Sequence, residues 1–329
     1  MADLVLGTVQ IGQAYGIANT VGLPEETAAL ALLETALAKG LTLDTARAYG
    51  QSEHRIGLAL SRYEASGNTP PPSLVTKIRP LDDLAGEADA RRVVHAVNNS
   101  LQKSCFFLDT DGLGTVLLHR TADGMRANGA AWQRLRDLKE AGLMDRIGVS
   151  VQSPAELHSV LTLPELGHVQ MPFNLLDHRW AEEGAIDALR ARPDVTVHVR
   201  SVFLQGLLCG LPLTQWPAID GALRDGLDGW LDEVLGAFGL PDRKSLALSF
   251  VRAQDWIDGI VIGCERVDQL EENIAAFDQP TLAMADFRAW LADRPRAPTA
   301  LLDPAQWPPR PALGGSPSLK SSSQNSEAA

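Results

Sequence analysis

The chain has 329 residues, 45% of them hydrophobic, and a formal net charge of −12 at pH 7. That length suits one large barrel or two smaller domains, and the acidic balance argues against a nucleic-acid partner or an anionic membrane surface. Three scattered cysteines (Cys105, Cys209, Cys264) form no C-x-x-C pair, no apolar run is long enough for a membrane span and no leader pattern opens the chain, so a reducing, cytoplasmic setting without a disulfide framework or zinc site is expected.

In chain order, Leu4–Thr8 is a short apolar run that stops at Gly7, with Gly12 and Gly16 following. It reads as a strand whose end lets a ligand approach the backbone, or as an ordinary loop. Pro24-Glu-Glu opens a helix that keeps helical spacing through Leu37 and stops at Gly40. The second strand, Leu41–Asp44, breaks into a polar turn carrying Tyr49. Ser52–Glu64 reads as a helix, Ser73–Ile78 as a strand, residues 88–104 as a helix and Thr115–His119 as the fourth strand. Gly129–Ala141 is helical, Arg146–Val151 a strand, Pro154–Leu161 a helix, and His168–Asn174 the sixth strand. Glu182–Arg192 is helical and Val195–Val202 alternates as a strand. Asp228–Phe238 and Arg243–Gln254 are helical, Gly259–Gly263 is the eighth strand, and Val267–Ala276 and Ala285–Ala292 close the pattern as helices.

Short strands alternating with helical stretches point to a parallel α/β barrel in one domain. An open doubly wound sheet is the alternative, but no G-x-G-x-x-G turn follows the first strand. Residues 1–302 read as the barrel, and residues 303–329, rich in proline and serine, as a tail expected to be disordered.

Four polar residues fall at or just past the ends of consecutive strands: Asp44, Tyr49, Lys77 and His119. Singly, each has an ordinary reading: a helix cap, packing, a solvated strand end, a core histidine. Jointly they suit one task. A phenol is a weak acid, a nearby ammonium favours its phenolate, and a carboxylate keeps that ammonium charged. An imidazole N–H can then support a carbonyl oxygen as it becomes an alkoxide. The set would protonate a carbonyl oxygen while something else delivers hydride to the carbon.

Asp44-Thr-Ala-Arg-Ala-Tyr-Gly50, Val75-Thr-Lys-Ile78 and Leu117-Leu-His119 resemble the three core motifs of the aldo-keto reductases. Similarity continues through Leu6-Gly-Thr8, Asp145-Arg-Ile-Gly-Val-Ser150, Val169-Gln170, Phe173-Asn174, Gly206-Leu-Leu208, Val261-Ile-Gly263 and Gln269-Leu-Glu-Glu-Asn273, covering residues 4–277. The resemblance implies a (β/α)8 TIM barrel that binds NADP(H), or else NAD(H), and reduces a carbonyl or oxidises an alcohol. It implies Tyr49 as acid/base with Asp44, Lys77 and His119. It also implies Ser150 and Gln170 at the nicotinamide carboxamide, Gly263, Gln269 and Asn273 at the adenosine end, and Gly7 and Thr8 at the first strand's end.

Departures from the family pattern are informative. Many relatives close the barrel bottom with a hairpin, whereas here the first strand begins almost at Met1. Val151 stands where relatives have Asn. In Val199-Arg-Ser-Val-Phe203, Arg200, followed by Ser201, stands where relatives stack an aromatic ring on the nicotinamide; it reads as a stacking guanidinium or a salt-bridged barrel arginine. Glu265 occupies a position where many relatives have an arginine for the 2′-phosphate, and Arg266 lies one residue along.

Two other classes are open: a cofactor-binding regulatory barrel without turnover, and a phosphate-binding barrel lyase or isomerase using Lys77 as a Schiff-base amine. Substrate choice is expected to reside in loops around Arg120–Trp132 and Cys209–Trp230, where Arg126 and Arg224 are compatible with an acidic substrate. Trp216 and Trp230 read as pocket walls or as solvent-side packing. The expected partner is a small carbonyl or alcohol, and the expected assembly a monomer or small homo-oligomer.

Overall fold

A computed structural model describes residues 2–19, 22–68, 71–84 and 89–307. The strands are β1 (Asp3–Gly7), β2 (Thr42–Asp44), β3 (Leu74–Lys77), β4 (Leu113–Leu118), β5 (Met144–Ser150), β6 (His168–Pro172), β7 (Thr196–Arg200) and β8 (Gly259–Gly263). Each pairs in parallel with its sequence neighbours, and β8 returns to β1, closing the barrel. Strands covered on both faces are buried nearly along their length, as β6 and β8 are. Among the described residues, no helix is long and apolar enough to cross a membrane.

The helices form where an apolar stripe at helical spacing meets a good start. Glu26–Ala38 buries Ala29, Leu30, Leu33, Ala36 and Leu37 against the barrel. Ser153 caps Pro154–Val160 by accepting from the Glu156 N–H, and Asp242 caps Arg243–Arg252 through the Ser245 N–H at 2.7 Å. Each such cap contributes about 1 kcal/mol.

Two of the expected helices differ most from expectation. The helix expected from Asp228 begins at Gly221, capped by the Asp220 carboxylate on the Leu223 N–H; its glycines have low helix propensity and masked the first turns. Half of the expected Cys209–Trp230 loop is therefore helix. Trp216 and Trp230, 7% and 6% exposed, are buried in the core and are not solvent-side packing. Glu182–Arg192 is two short helices, Arg179–Glu182 and Ala185–Arg190, broken at left-handed Gly184. Residues 308–329 of the expected tail lie outside the described residues. Just before them, Thr299–Leu302 forms a helical turn that buries Leu301 and Leu302, and Arg294 Nη1 donates to Leu175 O at 2.7 Å.

Two strand residues below the mouth, His168 and His198, pack ring to ring inside the barrel with centroids 4.3 Å apart. Burial holds both below the usual histidine range, reinforced at His168 by His198 and Arg146, while Asp44 and Asp258 oppose the shift at His198. Both rings thus hold a proton less readily in the native state than in the unfolded chain. The unfolded chain takes up protons near 6.5, so below that pH it binds more protons than the native state and stability falls with acid. The melting temperature is expected to drop from about pH 7.5 to about pH 5, as the unfolding free energy falls by at most about 1.4 kcal/mol per pH unit for each ring. A His168→Leu/His198→Phe variant should flatten that slope; an unchanged slope contradicts the assignment.

Candidate active site

All eight strands run the same way, so residues at their C-terminal ends share one mouth. Asp44 ends β2, Lys77 ends β3 and His119 follows β4 directly. Lys77 Nζ donates to Asp44 Oδ1 at 2.8 Å, Asp44 Oδ2 at 2.9 Å and Thr45 O at 2.9 Å. Gln170 Nε2, from β6, donates to Asp44 Oδ2 at 2.7 Å. An ammonium has three N–H groups, and here all three are engaged. The pair is almost wholly buried, at 1% and 4% side-chain exposure, so its charges are satisfied by each other and not by water. Asp44 is no helix cap and Lys77 no solvated strand end.

Above this pair lies Tyr49, its ring centroid 5.2 Å from Lys77 Nζ. The His119 ring meets it edge-on, centroids 5.8 Å apart and planes at 87°. Burial, with the Lys77 and then the Arg200 and Arg120 charges, pushes His119 down to about 3. At neutral pH it is an uncharged imidazole with one N–H to give.

Local packing fixes the Tyr49 turn. A Cβ on Gly12 would stand 1.8 Å from Tyr49 O, and one on Gly50, at φ +53°, would stand 2.2 Å from Gly12 O. Gly12 thus permits a close backbone approach by the Tyr49 carbonyl. Beneath it runs a buried hydroxyl chain: Ser52 Oγ donates to Thr8 Oγ1 at 2.7 Å, and Thr8 Oγ1 donates to Asp44 O at 2.8 Å. Thr8 is therefore turned inward as a strut for the Asp44 turn, and Gly7 sits in register between Asp44 and Gly263.

The remaining predicted residues form two groups. On one wall, Ser150 pairs in register with Gln170, whose buried Oε1 has no partner among the described residues. Arg200 ends β7 on the same wall. Its Nη2 donates to Gln152 Oε1 at 2.6 Å and to Val151 O at 3.3 Å, and its Nη1 to Ser201 Oγ at 3.5 Å. It is not the salt-bridged arginine of the alternative reading among the described residues. Ser201 itself adopts φ +59°. Around the end of β8, Gln269 Oε1 accepts from the Glu265 N–H at 2.8 Å. Arg266 is exposed and paired with Asp268 at 2.9 Å, and Asn273 is buried on the following helix.

Sequence reasoning missed Gln10, Tyr15, Gln152, Gln205 and Asp303. Gln10 lies over Gly263, its buried Oε1 unpartnered. Gln205 Oε1 accepts from the Ile17 N–H at 3.1 Å and its Nε2 reaches Tyr15 Oη at 3.5 Å, joining the loop after β1 to that after β7. Gln152 Nε2 donates to Asp303 Oδ1 at 2.9 Å. Only the position of these residues just after strand ends could have flagged Gln10, Gln152 and Gln205; nothing local marks Asp303.

Comparison with known proteins bears on what this arrangement is. The model of the family described as Aldo/keto reductase family matches residues 3–292. The aldo-keto reductase YhdN of Bacillus subtilis is 30% identical over 219 residues, 64% of this chain and 63% of that protein, so the match spans a little under two thirds of the relative's length. Among solved structures, an aldo-keto reductase from Bacillus halodurans in its holo form superposes with a TM-score of 0.70 at 22% identity, covering 90% of this chain and 93% of that one. The glycerol dehydrogenase of Gluconobacter oxydans gives 0.68 at 18% identity, with the same coverage. At these identities the two structures speak to the fold alone.

Proposed function

The chain belongs to the aldo/keto reductase family, and from that premise we propose that it interconverts a carbonyl (aldehyde, ketone or sugar) and an alcohol by direct hydride transfer with NADP(H), or alternatively NAD(H). The observation that carries this reading is the saturated Lys77–Asp44 pair beneath the Tyr49 ring, with a neutral His119 at right angles to it.

In the reducing direction Tyr49 gives its hydroxyl proton to the carbonyl oxygen, and in the oxidising direction it takes that proton back. The Lys77 ammonium stabilises negative charge as it develops on the phenol oxygen. Asp44 and the Thr45 carbonyl hold the ammonium in place, and Gln170 steadies Asp44. His119 donates its N–H to the carbonyl oxygen, a contribution worth roughly 3–4 kcal/mol in comparable sites. The nicotinamide nucleotide supplies or accepts the hydride when bound.

The residues present fit such a nucleotide. The orphaned Gln170 Oε1 is an acceptor suited to a carboxamide N–H, with the Ser150 hydroxyl beside it. Arg200 and Ser201 would flank the ring. Gly7, Gly263, Gln269 and Asn273 would hold the adenosine end, with Thr8 bracing the first strand's end. Arg266 is the candidate for a 2′-phosphate although Asp268 already neutralises it, and Glu265 next to it would suit ribose hydroxyls. The proposal includes a small-molecule substrate, no nucleic-acid or membrane partner, a cytoplasmic location and a monomer or small homo-oligomer.

The Schiff-base reading fares poorly on the same geometry. An amine that attacks a carbonyl needs a free lone pair, and Lys77 Nζ is engaged three times as a donor. A barrel that only senses nucleotide has no use for Tyr49 and His119 in this arrangement. Tyr49→Phe tests the proposal: turnover lost with nucleotide binding kept supports it, and undiminished turnover overturns it.

A further inference from the structure

Arginines stand in several of the loops at the barrel mouth, and most are neutralised directly. Arg47 pairs with Glu53, Arg79 with Asp83 at 2.6 Å, Arg120 with Asp82 at 2.6 Å and Arg126 with Asp123 at 3.2 Å. Arg200 differs. Its hydrogen-bond acceptors are an amide oxygen, a backbone carbonyl and a hydroxyl, all uncharged, and it forms no ion pair among the described residues. The nearest carboxylate on this path, Asp303, is reached only through the neutral amide of Gln152. These bonds grip the edge of the guanidinium, which leaves its flat faces available for stacking. The charge also faces the mouth, since it helps hold His119 below the ordinary histidine range and opposes the burial that raises Tyr15.

We propose that Arg200 sets an un-neutralised positive charge against the nicotinamide face, so that the site holds the reduced, uncharged ring more tightly than the oxidised, cationic one and is biased toward alcohol oxidation. This rests on the nucleotide-binding reading above. A guanidinium over a neutral ring is attracted or indifferent, whereas over a cationic ring it is repelled, and in a partly desolvated mouth that difference is worth about tenfold in affinity. By linkage, the ratio of the two dissociation constants equals the factor by which the bound nucleotide's equilibrium is shifted toward accepting hydride. Alcohol oxidation removes a hydride (one proton and two electrons) from the carbinol carbon to the oxidised nucleotide and a proton from the hydroxyl to Tyr49. A site that favours the reduced nucleotide therefore pulls in that direction. Asp303, one amide away, moderates the charge without cancelling it.

The test is calorimetric titration of the full chain with NADPH, NADP+, NADH and NAD+, in the wild type and in Arg200→Gln, Arg200→Lys and Asp303→Asn, each first checked for an unchanged melting profile. The wild type is expected to bind the reduced member of its preferred pair about tenfold more tightly. Arg200→Gln should bring the two within about twofold, Arg200→Lys should keep most of the preference, and Asp303→Asn should widen it. A ratio that does not change in Arg200→Gln, with nucleotide still bound, overturns the proposal. Binding of no nucleotide by the wild type overturns instead the reading on which it rests.

Discussion

Tyr49→Phe is expected to lower kcat by about a hundredfold to ten-thousandfold, the usual range for losing a positioned acid/base, while nucleotide affinity stays within about threefold. The ring remains, so its packing against Lys77 and His119 survives. Only the hydroxyl disappears, and no hydrogen bond among the described residues runs through it. Tyr49 is partly exposed, so the stability change should be within about 0.5 kcal/mol, as for surface substitutions generally. Turnover measured with a panel of aldehydes, ketones and sugars, beside calorimetric nucleotide binding, separates these effects. A variant that loses binding and turnover together would place Tyr49 in the fold and not in the chemistry.

Asp44→Asn should cost both stability and turnover. Both carboxylate oxygens act as acceptors: Oδ1 and Oδ2 for Lys77, and Oδ2 also for Gln170. An asparagine has one acceptor oxygen and one NH2, so whichever way it is turned a donor faces a donor. Lys77 would also be left as a buried charge without its counter-ion. Breaking such a pair from one side costs about 3–5 kcal/mol, and urea unfolding should show it. Replacing both residues, in an Asp44→Leu/Lys77→Met double variant, removes both charges. That variant should recover much of the stability, because replacing both ions by apolar groups is often neutral, yet remain inactive. Recovery of activity along with stability would mean that the pair serves only the fold.

Most strands were readable because a buried parallel strand is a short apolar run bounded by turn residues, as Gly259–Gly263 is from end to end. The helix from Gly221 was less readable because its glycines contradict the helical pattern locally, and burial of Leu227, Trp230, Leu231 and Val234 overrides them. The close contact of Gly12 with the Tyr49 carbonyl was not readable, since it spans a distance that no local pattern encodes. The same holds for the polar network. Gln170 and Asp44 are 126 residues apart, and Gln152 and Asp303 are 151 apart. Strand-end position marked Asp44, Lys77 and His119 as sharing a mouth, but only the closed barrel shows that Gln170 props Asp44 from across it.

Direct hydride exchange is tested most sharply with NADPH deuterated at the transferring position of the nicotinamide, incubated with the purified protein and an accepted carbonyl substrate. The alcohol is then analysed by mass spectrometry. Deuterium bound to the carbinol carbon and retained in ordinary water is the expected result, with about a hundredfold or more less labelled alcohol made by Tyr49→Phe over the same interval. Alcohol that forms without deuterium on that carbon would contradict hydride transfer from the nucleotide.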